Sequence, residues 1–193
     1  NGPSLAKMDL SFLKNELTFG MNRLYLIADK LAFMPTYYCV SNELVLQQFA
    51  NDLQNVASVK FYNWTERKYF QSNDELNFLR LKFTLNDNFS TNIEEGIFSG
   101  GTVTYATLQL IYYMGFKEVT IIGLDHNFVE KGRPNMTEVR TEKEDLSHFH
   151  PNYFPQGIKW QLPDLLRSEI AYAIAKKSFE LDGRKIIDAT NNG

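Results

Sequence analysis

The sequence predicts an α/β protein: a Rossmann-like, three-layer fold with a mostly parallel central sheet, formed as a single domain over residues 1–193. Three observations predict it. Short apolar, β-branched or aromatic runs alternate along the chain with segments of helical period. The run Val119 to Ile122 is short and β-branched, as a parallel strand buried on both faces should be. Glycines fall where helices start and stop, at Gly100-Gly101, Gly115 and Gly183.

Taken in order, the chain opens on a loop in which Gly2-Pro3-Ser4 signals a turn, and Ser4 is a candidate cap for a short helix from Leu5 to Leu13. A loop of this kind most often follows a strand, so a first strand is expected upstream of Asn1. Phe19 to Ile27, interrupted by Asn22, is apolar and aromatic, and Thr36 to Val40 reads as a better strand. Ser41 then caps a helix to about Leu53, and Val56 to Tyr62 is another strand. Trp64 to Asn77 has no clear period, Phe78 to Thr84 is a half-exposed strand, and Asn86 to Glu95 is a polar loop. In the central unit Val103, Ala106, Leu110 and Met114 share a helical face, and Gly115 closes the helix before the strand that starts near Glu118. Val129 to Asp145 is dense in charge and lacks an apolar period, which predicts a mobile lid over about 129–160. After Pro163, Leu166, Ile170, Ala173, Ile174 and Leu181 line one face of a helix that begins near Asp164. Lys185 to Ala189 is the last strand.

Composition narrows the function. A chain of 193 residues with 44% hydrophobic content can bury one substantial core, and no internal repeat or linker divides it. The net charge of −3 argues against a nucleic-acid partner, whose footprint is normally basic. The single cysteine, Cys39, excludes an internal disulfide framework and a cysteine-rich metal site. No apolar run is long enough to span a membrane and no signal peptide is visible, so a cytoplasmic location is expected, with docking at the inner face of the membrane compatible.

Two groups of residues carry candidate chemistry. Ser99, Gly100, Gly101 and Thr102 lie at the start of the central helix, where backbone N–H groups and the positive dipole end suit a phosphate. The same residues also suit a plain linking turn. The chain's three histidines all fall between His126 and His150, and His148 and His150 in SHFHPNYF are candidate general bases. Pro151 favours an extended backbone at His150, which would place both imidazoles on one face with Phe149 turned inward. A zinc site from Asp125, His126, His148 and His150 has no supporting spacing motif, and no metal is expected. No G-x-S-x-G surrounds a serine, and Cys39 sits inside a predicted strand, so neither reads as a nucleophile.

These segments, NGPSL, FGMNRLYL, SGGTVTYATLQLIYYMGFKEVTIIGLDHNF and SHFHPNYF, resemble the bacterial sialyltransferase family that uses CMP-activated sugars. They resemble still more the 6-hydroxymethylpterin diphosphokinase MptE-like group of surface-polysaccharide loci, whose Asp-Ala-Thr-x-Gly-Gly ending is similar to DATNNG here. The resemblance implies a GT-A-like glycosyltransferase domain in which Asn1, with Gly2, and Asn22 hold the nucleotide phosphate, Ser99-Gly100 contacts cytidine and ribose, and Asp125 follows the central strand. It also implies two departures. The family tyrosine that assists phosphate departure falls at Asn127, and its base histidine, aligned from SHF, falls at Asn152 with His148 and His150 close by.

Two activities and one passive role follow. The first is metal-independent, inverting transfer from a CMP-sugar to a glycan or lipid-linked glycan acceptor, with a histidine as base. The second is a pterin pyrophosphokinase, the reading that would bring in ATP and Mg²⁺. The third is a nucleotide-binding module of polysaccharide assembly without chemistry of its own. A homo-oligomer is compatible with each.

Overall fold

The computed structural model describes residues 1–31, 33–84, 87–130 and 132–190. Two 3₁₀ turns, Pro3–Lys7 and Ser11–Asn15, replace the single helix expected over Leu5 to Leu13. Asp9 accounts for the break: its carboxylate takes the Ser11 N–H at 2.9 Å, a donor that a continuing helix would need. Gly2, rather than Ser4, is the residue ahead of the first turn.

Strand β1 (Phe19–Met21) covers only the start of the apolar stretch Phe19 to Ile27. Asn22 ends it by entering the left-handed region at φ 51°, which asparagine tolerates, and the chain coils through Leu24–Ile27 into α1 (Ala28–Leu31). Strand β2 (Tyr37–Val40) falls where expected. The next helix is capped by Asn42, not Ser41, whose side chain accepts from Val45 N–H at 3.1 Å. It divides at Phe49 into α2 (Glu43–Gln48) and α3 (Ala50–Gln54). Strands β3 (Val59–Asn63) and β4 (Leu76–Leu79) complete a parallel sheet of order β1-β2-β3-β4. Arg80 separates β4 from β5 (Leu81–Lys82), which pairs in parallel with β6 (Ile97–Phe98).

The central helix α4 (Val103–Tyr113) is capped by Thr102 and ends just before Gly115 at φ 87°, as expected. It leads into β7 (Glu118–Ile121). Inside the predicted lid, β8 (Thr137–Val139) pairs antiparallel with β9 (Lys159–Gln161) to form a ribbon. Helix α5 (Leu165–Leu181), capped by Asp164, returns the chain to β10 (Lys185–Asp188), which runs parallel to β7. The closing residues Asn191 to Gly193 of DATNNG lie outside the described residues.

The parallel α/β arrangement is therefore present, but hydrogen bonding is divided between a four-stranded sheet and separate pairs. Among the described residues, β1 and β7 each have one edge without a strand partner. Asn1 lies between their C-terminal ends, its backbone nitrogen 2.8 Å from Gly123 O and its Nδ2 donating to Met21 O at 2.9 Å. As a result β7 is half-buried instead of sealed on both faces: Val119 and Ile121 pack towards Tyr105 and Ala171, while Glu118 and Thr120 face out.

Helix α5 corrects a second expectation. Its buried face is Ser168, Ala171, Ala175 and Phe179, whereas Leu166, Ile170 and Leu181 of the predicted core face are exposed, Leu166 at 74%. The reason is packing distance. Small side chains at Ala171 and Ala175 let α5 approach Tyr105 and Leu108 of α4 closely, which leucines there would prevent.

Candidate functional site

The C-terminal ends of β1, β2 and β7, the start of α4, the β8–β9 ribbon and the start of α5 enclose a cleft of about 690 Å³. Ligands of parallel α/β sheets commonly bind at this end of the strands. Asn1, Gly2, Asn22, Ser99, Gly101, Thr102, Asp125, Asn127 and His148 all line the cleft, although they are far apart in sequence. Gly100 stands behind them against Tyr105, and His150 is not part of the lining.

The opening turn is held by Asp125. Its Oδ1 accepts from Ser4 N–H at 2.9 Å and its Oδ2 from the Ser4 hydroxyl at 2.7 Å. Both carboxylate oxygens thus brace the turn. The packing is close: a Cβ on Gly2 would sit 2.0 Å from Asp125 Oδ2, so only glycine fits.

The glycine turn also differs from an open phosphate seat. Gly100 N–H donates to Asp87 Oδ1 at 3.1 Å, and Gly101 N–H to Ser99 Oγ at 3.4 Å. Thr102 Oγ1 caps Thr104 N–H at 3.3 Å. Asp87 is held in turn by Arg167 at 2.6 Å and 2.9 Å. Burial opposes the charge on Asp87, but the Arg167 and Gly100 donors outweigh it and keep its carboxyl below the usual range. A carboxylate of the protein's own chain therefore occupies the Gly100 N–H, two residues ahead of the cap Thr102.

Asn22 is different. Its backbone is left-handed, its side chain lines the cleft, and its Oδ1 is sealed without a hydrogen-bond partner among the described residues. Its amide also neighbours the Tyr153 hydroxyl, which accepts from Asn1 Nδ2 at 3.0 Å. A buried amide end left unpaired costs free energy.

The most developed chemistry is at His148. Its Nδ1 lies 2.9 Å and 3.0 Å from the two oxygens of Asp145, whose side chain is fully buried. The ring stacks flat on Tyr153 at 4.1 Å and meets Phe128 and Phe154 edge-on. Nε2 has no hydrogen-bond partner among the described residues, and His148 lines the cleft. Burial pulls the imidazole pKa below its ordinary value against the opposing pull of Asp145, which favours a neutral ring with a free Nε2 lone pair. Asp145 also accepts from the N–H groups of Ser147, His148 and Phe154 at 3.0, 3.1 and 3.1 Å. Burial would raise its carboxyl, but these donors, led by His148, hold it below the usual range.

His148 and His150 do not share a face. The segment bends into a turn in which Tyr153 N–H donates to His150 O, and His150 Nδ1 accepts from Asn152 N–H. Phe149 is buried as expected. Asn152 supplies only its carbonyl to Arg23, at 2.9 Å. The rest of the predicted lid is braced by Arg140, which is buried with Glu130 at 2.8 Å and lies over Trp160. Glu130 also accepts from the Ser147 hydroxyl. On the outer side Gln48 of α2 grips the ribbon, donating to Lys159 O at 2.7 Å and accepting from Lys159 N–H at 2.8 Å.

Sequence reasoning did not single out Asp145, Tyr153, Asp87 or Arg167. The spacing Asp145-x-x-His148 was the available signal for the first. Cys39 is buried in β2 and burial pushes its thiol up to about 11, which agrees with a structural role. No group of three metal-binding side chains occurs among the described residues, and none of their helices is long and apolar enough to cross a membrane.

No protein-family model matches the chain, and comparisons with curated proteins and with solved structures find no match. The resemblance set out above therefore stands on its short motifs alone.

Proposed function

We propose that the protein is a glycosyltransferase that takes its sugar from a CMP-activated donor, on a Rossmann-like, GT-A-like scaffold. The observation that carries the reading is the His148–Asp145 pair, which opens on the cleft lined by Asn1, Asn22 and Ser99. Asp145 fixes the tautomer by binding Nδ1–H, so Nε2 is the nitrogen that receives the proton of an acceptor hydroxyl. The carboxylate then stabilises the imidazolium while the acceptor oxygen attacks the anomeric carbon and inverts it. In this reading Asn22 and Ser99 hold the donor's phosphate and ribose. Such a transfer needs no metal, and its acceptor would be a glycan or lipid-linked glycan, met in the cytoplasm or at the inner face of the membrane.

One observation favours the second reading, a nucleotide-binding module without chemistry: Asp87 already occupies the N–H of Gly100, so the helix start offers an anion less than its position suggests. Thermal unfolding in the presence of CMP, CDP, ATP and GTP, followed by a transfer assay, tests both. Binding only to the folded state stabilises by about 2.7 kcal/mol at a ligand concentration ~100 times Kd. A rise in Tm with CMP and CDP but not ATP, together with transfer that His148→Asn abolishes, is the expected result. A rise with CMP and no transfer to any glycan acceptor would favour the module. A rise with ATP alone would overturn the CMP reading.

A further inference from the structure

His148 is not the cleft's one imidazole. His126 follows β7 with φ 48°, the left-handed region, where a non-glycine residue is uncommon and histidine is among the tolerated types. Strained backbones of this kind tend to persist where they aim a functional side chain. Here the backbone turns the ring towards α5. Nε2 lies 3.2 Å from Glu169 Oε1, and the ring meets Tyr172 edge-on with centroids 5.9 Å apart. Nε2 is sealed and makes no hydrogen bond among the described residues, Nδ1 has no partner among them either, and the side chain lines the cleft. His126 resembles His148 in standing beside a carboxylate, but where His148 Nδ1 is hydrogen-bonded to Asp145, His126 Nε2 lies only in ion-pair range of Glu169.

The two have different neighbours, Glu169 and Tyr172 at His126 and Asp145 and Tyr153 at His148. Phe128, two residues beyond His126, touches the His148 ring at 5.7 Å. Only Asn127 separates the residue beside α5 from the one that touches His148, and two residues of chain reach at most about 7 Å.

We propose that His126, positioned by Glu169, donates the proton to the oxygen that leaves the sugar, while His148 accepts the proton of the incoming hydroxyl. The inference rests on the glycosyltransferase reading and names the group that serves the leaving side, where the residues aligned with the resembling family leave Asn127. In the step, the bond from the anomeric carbon to the donor phosphate oxygen breaks. Its electron pair stays on that oxygen, which takes a proton from His126 Nδ1. The acceptor oxygen forms the new bond and its proton passes to His148 Nε2. One proton is delivered and one is taken up, so no co-reactant is needed. The charged or titratable groups facing His126 are Glu169 and Tyr172 on α5 and, beyond Tyr172, Asp188 on β10. Asp125, next in the chain, is turned to Ser4.

The test is kcat against pH, with a CMP-sugar donor, for the wild type, His126→Gln and Glu169→Gln. The wild type should give a bell-shaped profile. His126→Gln should lose about 10²-fold in kcat across the profile. Glu169 is 67% exposed, so Glu169→Gln spares the packing and should lower kcat with KM unchanged. A His126→Gln rate within about twofold of wild type overturns the inference and leaves the glycosyltransferase reading standing. A wild type that transfers from no CMP-sugar overturns both.

Discussion

Replacing Asp145 by asparagine isolates the group on which the proposed base depends. The change is isosteric and the site is sealed, so its effect follows from hydrogen-bond accounting. The carboxylate accepts four donors: Ser147 N–H, His148 N–H, Phe154 N–H and the His148 ring. An amide keeps one oxygen and brings an NH₂ group that points at donors. Placed at the Oδ2 position, it faces Phe154 N–H; placed at Oδ1, it faces the N–H groups of Ser147 and His148. At least one buried N–H is left unpaired in either arrangement, at a cost of about 1–3 kcal/mol. Arg140, 4.0 Å away, also loses one of its two carboxylate neighbours. The expected loss is roughly 2–4 kcal/mol, read as a lower urea midpoint at constant slope. The amide would also donate to His148 Nδ1 and move the ring proton to Nε2, which removes the lone pair that faces the cleft. Transfer should fall by about 10²–10⁴-fold even at temperatures where the variant is folded. A variant that unfolds at the wild-type urea concentration and transfers at the wild-type rate would refute the whole account of this segment.

Two further predictions concern the same cleft. His148 has a folded pKa below its ordinary value and Asp145 likewise, so in both cases the unfolded chain binds more protons on acidification. Stability should therefore fall as pH drops below about 6.5, first through His148 and then, in the carboxylate range, through Asp145; a Tm–pH series on wild type and His148→Gln should show the first step only in the wild type. Gly2→Ala would push a methyl group into Asp125, which must release Ser4 to make room. A loss of roughly 1–3 kcal/mol by urea unfolding, with any CMP shift abolished, is the expected outcome, and an unchanged midpoint would contradict the closeness of that contact.

The legible parts of the fold were those where local chemistry and tertiary packing agree. Thr102 and Asp164 cap α4 and α5, and the β-branched runs at Val119 and Ile186 form strands. The α5 face was not legible because the helix carries two apolar stripes. Periodicity favours Leu166 and Ile170 as the larger, while proximity to α4 selects Ala171 and Ala175. The strand at Phe19 was cut short by one backbone angle at Asn22, which no apolar pattern encodes. In the site, Asn1, Asn22, Ser99, Gly100, Gly101 and Asp125 were expected to converge at one end of the sheet; all but Gly100, which packs behind against Tyr105, line one cleft. The partners were not readable, since Asp125 is engaged by a serine 121 positions away and Gly100 by an aspartate from a polar loop.

The grip of Gln48 on Lys159 has a consequence for the outer edge of the ribbon. A primary amide that gives one hydrogen bond and takes another from the same residue reproduces what a neighbouring peptide unit would offer. For the length of one residue, a side chain of α2 stands in for a third strand. The exposed side of β9 is thus closed at that point to any extended segment from another chain, which is how a lone two-stranded ribbon avoids acting as a template. The same two bonds tether the wall of the cleft to the four-stranded sheet's own helix, so the ribbon cannot swing outward without first giving up a peptide-like pairing to water.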